Sequence, residues 1–501
     1  MTEIGESREP AAIIDLLSFT LASEFDVAAT AALAIQKLLP ANPVAELIRM
    51  ESALSHGLTY SGQSYYDWYK LSPDQLGSFE RFGDAAVSLF GVASIHHSGY
   101  VREAALRKLS PIRSGAELPF LILRLNDWVS NVRNVAYHAI QARLTPEYCR
   151  HFIANLPVIS RLERAGRVDH TPIIHAINQL LQSDECRSAL LGSLKSEDRH
   201  IRRAGFRLVL DVVHPGPEVL KLALADEDTV IRQLAAKTIS SRPEMFGLFL
   251  GSMKHDRFMP VRREALRIAV ATNSPDVVEQ LQSGLLDSHA SIREECRWHL
   301  QKIQATDFAA FYRQHLEGRD LYSAISGLGE TGRADDSLLI APHATHHTSK
   351  IRRAAIKALA ALNPKAHLDL FMTALADEVP NVSRHALKAL SRKTSLLSVA
   401  QVWDLFSSSS RVHVKRNALS LIQKFGKWES ISYLLRALRE PDPDLVTQTQ
   451  RAIQHWLATF NRSFSQPTSE QVSSLKDALE KCGGLIGDET REQLRFAIKG
   501  L

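Results

Sequence analysis

The segment Ile351-Arg352-Arg353-Ala354-Ala355-Ile356-Lys357-Ala358-Leu359 recurs in close copies along the chain. In each copy an apolar residue precedes an anchor, and a small residue usually follows three positions after it. Seven after the anchor stands Leu, Ile or Val, with Ala269 the exception. The frame fits Val101-Arg102, Val132-Arg133, Ile201-Arg202, Ile231-Arg232, Val261-Arg262 and Ile292-Arg293. It continues through Val382-Ser383, Val414-Lys415 and Leu445-Val446. Successive anchors lie about 30 residues apart, or about twice that where degenerate units are expected near Arg167 and Tyr322. A fixed period of this size predicts stacked helical units, each too small to bury its apolar face alone.

Within each copy, positions −1, +3, +4 and +7 fall on one helical face and are almost always apolar. Leucine-rich segments such as Leu118-Pro119-Phe120-Leu121-Ile122-Leu123 precede a short polar turn and then the anchor helix. The expected fold is all-α: an α-solenoid of stacked helical hairpins over residues 91–460. Residues 1–90 form an acidic helical N-terminal cap region in this reading, and residues 461–501 a C-terminal helical cap. Between the first cap and the repeats lies an aromatic tract of Tyr60, Tyr65, Tyr66, Trp68 and Tyr69, read as packing on the first units.

The four cysteines (Cys149, Cys186, Cys296 and Cys482) are widely spaced, as expected of reduced thiols in a cytoplasmic protein. No stretch approaches the roughly 20 apolar residues of a membrane span, so no membrane partner is expected. Charge is uneven. Residues 1–95 hold 5 Lys and Arg against 12 Asp and Glu, and the remainder holds 55 against 43.

The units resemble HEAT repeats, specifically the short variety found in phycobilin lyases and related proteins. The resemblance is carried by an Asp six residues before the Arg, in Asp127/Arg133, Asp226/Arg232, Asp256/Arg262 and Asp287/Arg293. It implies a structural ladder, with the Asp capping the helix from the turn and the Arg reaching back to that Asp and to nearby carbonyls. Ser383 and Val446 depart from the pattern at the Arg position.

Catalysis is the minority expectation. Deoxyhypusine hydroxylases, built from similar repeats, hold iron through His-Glu dipeptides, and this sequence has none. A phycobilin-lyase-like chaperone or lyase role stays open without a motif to carry it. A DNA-glycosylase-like role would need an Asp among several Trp, and Asp127 beside Trp128 is already claimed by the ladder. P-loop, dinucleotide, nucleophile-elbow and zinc-protease motifs are missing. The histidine groups His96-His97 and His343/His346-His347 stand where other units place the turn Asp, so they read as surface turn residues and not as metal ligands. No cofactor is expected.

One feature rises above that background. Positions +1 and +5 lie off the apolar face and hold twelve basic residues against Glu103 and Glu294. The basic residues are Arg107, Arg203, Arg207, Lys237, Arg263, Arg267, Arg353, Lys357, Arg384, Lys388, Arg416 and Arg451. Trp298 and His138 share the +5 column and could stack on a ligand. Second helices line the concave face of HEAT proteins, so the resemblance implies a basic inner groove. The leading expectation is a non-catalytic scaffold holding an acidic protein or peptide. Nucleic acid is the alternative partner, and the acidic N-terminal region could itself occupy the groove.

Overall fold

In a computed structural model, residues 12–39, 68–212, 215–462 and 464–497 are described, and every regular element among them is helical. Tyr60, Tyr65 and Tyr66 lie outside the described residues. The chain divides into two compact units, Met1–Ile268 and Ala269–Leu501, with the boundary inside the helix Met259–Ala271.

In the first unit the helix Ala85–Ala93 packs against Gly99–Leu109, the first anchor helix. Leu118–Arg124 pairs in the same way with Ser130–Gln141, and Pro217–Leu224 with Thr229–Ser240. Trp68 is buried and stacks at 6.5 Å on Phe79, while Tyr69 stacks at 3.8 Å on His97, so both cover the start of the repeats. The degenerate stretch near Arg167 departs from the hairpin pattern for a visible reason. Pro157 opens a new helix, Leu156–Leu162, directly after Cys149–Ala154, because proline suits the first turn of a helix and not its interior.

The second unit is more regular. Phe308–Gln314 and Leu321–Thr331 form the degenerate hairpin around Tyr322. Leu368–Leu375 pairs with Pro380–Leu390, Val399–Ser408 with Val412–Ile422, and Lys427–Ala437 with Pro443–Thr459. The anchor helices Ser349–Leu362, Pro380–Leu390, Val412–Ile422 and Pro443–Thr459 also pack side by side in that order. Ser469–Cys482 and Asp488–Ala497 then pack against the last hairpin.

The small residue at +3 has a direct cause. A Cβ on Gly284 would sit 2.3 Å from the Sγ of Cys296, a +3 residue, so the two helices of that hairpin touch almost backbone to backbone. In the later anchor helices the −1 and +7 residues Ile351, Leu359, Val382, Leu390, Val414 and Ile422 are buried, each contributing about 1.5–3 kcal/mol of apolar burial.

The ladder is present but wired differently from the expectation. Arg133 donates to the backbone carbonyls of Asp127 (2.8 Å) and Trp128, not to the Asp127 carboxylate. Arg232, Arg262 and Arg293 likewise donate to the carbonyls of Asp226, Asp256 and Asp287 at 2.8, 2.8 and 2.7 Å. The carboxylate is instead held by the Arg of the preceding repeat. Arg102 grips Asp127 through Nε and Nη2 at 2.8 and 2.7 Å, Arg202 and Arg232 reach Asp226 and Asp256, and Arg352 grips Asp377. Nor does the Asp cap the helix. Asp127, Asp226 and Asp256 accept from the N–H two residues on, which lies in the turn, while Asp228 caps the helix Thr229–Ser240. An anchor side chain leans toward its helix N-terminus, so its guanidinium lies over its own turn with its far edge toward the next repeat.

Candidate functional site

Each basic residue at +1 or +5 projects from an anchor helix, opposite to or beside the buried face. The structure divides these residues by their surroundings.

In the first unit most of them meet a carboxylate. Arg203 bonds at 2.7 Å to Asp228, whose pKa is lowered because this guanidinium and the helix N–H groups outweigh the upward push of burial. Arg107 pairs at 2.7 Å with Glu103, Arg207 lies 3.8 Å from Glu163, and Arg267 lies 3.6 Å from Glu264. Arg263 is half-buried, leaving Lys237 as an exposed cation with no ion pair among the described residues. His138 is exposed beside Tyr137. These carboxylates come from +1, +2, the turn and the end of the helix Leu156–Leu162, so the +1 and +5 columns alone overstate the free positive charge of this unit.

In the second unit the cations stand open. Lys357, Arg384, Lys388 and Arg451 are exposed and Arg353 is half-buried. None of the five has an ion-pair partner among the described residues. Arg416 has one loose pairing, 3.7 Å from Asp444, whose own side chain is 84% exposed. These six residues lie on four successive anchor helices, each packed against the next, whose only acidic residue is Asp444. Residues 349–459 as a whole carry 17 Lys and Arg against 8 Asp and Glu. Trp298 is half-exposed, but the Lys302 ammonium lies 3.3 Å from its ring centroid, so one ring face is already covered.

Between Val412–Ile422 and Pro443–Thr459 the row dips into an open pocket of about 440 Å³ lined by Arg416, Asp444, Thr447, Gln448, Arg451 and His455 among others. This pocket is not legible from the +1 and +5 columns alone, because Asp444, Gln448 and His455 lie outside them. The +1, +5 and +9 sequence of Thr447, Arg451 and His455, four residues apart, was the available signal.

The histidine groups hold no metal-like cluster: among the described residues no three His, Cys, Asp or Glu side chains converge as a metal would require. His346 and His96 do occupy the turn Asp's place. Their Nδ1 atoms accept from Thr348 N and Ser98 N at 3.0 and 3.1 Å, and the anchor arginines Arg352 and Arg102 donate to their carbonyls. The expectation of surface residues fails at His96, which is 2% exposed. Its Nε2–H donates to the Trp68 carbonyl at 3.0 Å, so the buried N-terminal aromatic covers it.

The structure defines a protein of antiparallel α-hairpins with an arginine–carboxylate ladder in its turns. Residues 338–412 match the family model for HEAT repeats, and over that stretch the hairpins are HEAT repeats. A crystal structure of importin β is similar, at 14% identity and a TM-score of 0.43, covering 98% of this chain and 71% of that one. Yeast importin β, Kap95p, is similar at 12% identity and a TM-score of 0.30, covering 98% of this chain and 66% of that one. No curated protein matches the sequence. No described helix is long and apolar enough to cross a membrane.

Proposed function

We propose that this protein is a non-catalytic scaffold whose second unit holds an extended acidic protein segment along Arg353, Lys357, Arg384, Lys388, Arg416 and Arg451. The observation that carries the reading is a row of six cations on four adjacent anchor helices, five without an ion pair among the described residues and Arg416 only loosely paired, with one acidic residue among those helices. Surface cations in folded proteins are usually interspersed with acids, and a run without them creates a field that steers anions to it.

Geometry favours a peptide. Packed helix axes lie about 8–10 Å apart, and a chain in the extended polyproline-II conformation advances about 3.1 Å per residue with three residues per turn, so every third side chain faces the same way. One helix step therefore matches roughly three peptide residues, and an acidic side chain at every third position would meet each helix in turn. Many weak contacts spread along a row give an affinity that no single contact carries.

The test is fluorescence anisotropy of a labelled peptide with Asp at every third position, titrated with native protein and with the Lys357→Glu/Arg384→Glu/Lys388→Glu variant. The reading expects binding that weakens as salt rises and is lost in the variant, with thermal unfolding unchanged because all three side chains are exposed. Equal affinity in the two proteins would place the peptide elsewhere. A labelled single-stranded oligonucleotide run in parallel that binds more tightly than the peptide at about 0.15 M salt would favour nucleic acid as the partner.

A further inference from the structure

We propose that the pocket between Val412–Ile422 and Pro443–Thr459 is a subsite for a phosphate monoester, a phosphorylated side chain on the acidic segment. It rests on the preceding reading of that segment and adds the chemistry of one of its residues.

The pocket differs from the rest of the row in having cations on two walls. Arg451 and His455 sit four residues apart on one helix and so share a face, while Arg416 faces them from the neighbouring helix. The donors available to a ligand can be sorted from the hydrogen bonds already made. Gln448 Nε2 donates to Ser420 Oγ at 3.0 Å and toward the Arg416 carbonyl, so this amide is held in the wall. The hydroxyl of Thr447 donates to the Pro443 carbonyl at 2.8 Å. What remains is two guanidinium groups, the exposed imidazole of His455 and the exposed amide of Gln423.

That set suits phosphate better than carboxylate. A carboxylate offers two oxygens and one negative charge, which a single guanidinium satisfies through its planar fork. A phosphate monoester offers three terminal oxygens and a charge of about −1.5 to −2, enough to engage both arginines and the imidazole from different sides. The one carboxylate in the lining, Asp444, is 3.7 Å from Arg416 and 84% exposed. It is a weak, water-screened pairing, and a dianion can displace it.

The test uses two pairs of labelled peptides with Asp at every third residue, one pair for each end, the members of a pair identical except that one carries phosphoserine in place of serine at that end. Phosphorylation at one end should tighten binding about tenfold, and the Arg416→Gln/Arg451→Gln variant should abolish that gain. Asp444→Asn should enlarge the gain by removing the competing carboxylate. The proposal is overturned if neither phosphopeptide gains affinity, or if the double glutamine variant keeps the gain. Should the unphosphorylated peptide fail to bind, the acidic-segment reading falls. The pocket is then judged on whether the phosphopeptide alone binds in an Arg416- and Arg451-dependent way. A single-stranded oligonucleotide that displaces the phosphopeptide at about 0.15 M salt would assign the pocket to phosphodiesters and overturn the monoester.

Discussion

At His96 the imidazole carries two hydrogen bonds that fix its protonation state. Nε2–H donates to the Trp68 carbonyl and Nδ1 accepts from Ser98 N, so a second proton on Nδ1 would expel the Ser98 N–H. Burial first, and then the positive charge of His97 and Arg102, lower its pKa to about 4. Because the folded value lies below the unfolded value of about 6.5, the stabilising contribution is complete above pH 6.5. It is lost as pH falls from 6.5 toward 4, where the folded form also takes up the proton. The first unit should therefore lose about 2 kcal/mol between pH 7 and pH 5 through this group. His96→Asn keeps an acceptor for Ser98 N but does not titrate, so urea unfolding at the two pH values should show a smaller loss in the variant. Identical losses would mean that His96 is protonated in the folded state.

Legibility at this scale was uneven. The period exposed Arg102, Arg133, Arg232, Arg262 and Arg352 because each repeats at a fixed offset. The carboxylates of Asp127, Asp226 and Asp256 pair with the Arg of the preceding repeat and not with Arg133, Arg232 and Arg262 of their own, since an offset within one unit is visible in sequence and a contact between neighbouring units is not. His96 was legible as a turn residue, but its burial was not, because Trp68, which covers it, comes from outside the frame.

At the scale of the element, the turn after Ser130–Gln141 is closed by Arg143, which is fully buried together with Glu117. Arg143 donates to Glu117 at 2.9 Å, to the Ala139 carbonyl of the helix before it, and to the carbonyls of Leu109, Ser110 and Ile112 at and just beyond the end of Gly99–Leu109. Tyr148 donates to the same carboxylate at 2.9 Å. Burial alone would raise the pKa of Glu117, but Arg143 and the hydrogen bonds to the carboxylate outweigh it and hold the group ionised. One guanidinium thus ties the C-terminal ends of two neighbouring anchor helices together. Arg143→Met should cost about 3–5 kcal/mol, chiefly by leaving the Glu117 charge buried without a partner. Adding Glu117→Gln should restore much of that loss, and a double-mutant cycle from denaturant unfolding measures the coupling. A loss under 1 kcal/mol for the single change would contradict this account. Neither residue was visible beforehand, because the contact occurs once and leaves no period. By contrast, the anchor helices and their leucine-rich partners were legible throughout, since apolar spacing and the polar turn agree at every regular unit.

At the scale of the whole molecule, charge was legible as an asymmetry and only half legible as a surface. Counting +1 and +5 found the cations in both units, but it could not find Glu163, Glu264 and Asp228, which pair with Arg207, Arg267 and Arg203 from other positions. In the second unit the anchor helices from Ser349–Leu362 to Pro443–Thr459 contain only Asp444 to oppose their cations, and there the row stays open. The central claim is that an acidic segment lies along this row with about three of its residues per helix. The most direct test is photo-crosslinking with a peptide of Asp at every third position, carrying a photoreactive residue at one of three sites spaced three apart. Mass spectrometry of the adducts should place the three sites on Ser349–Leu362, Pro380–Leu390 and Val412–Ile422 in sequence. Adducts that fall on a single helix, or on the first unit, would contradict the claim.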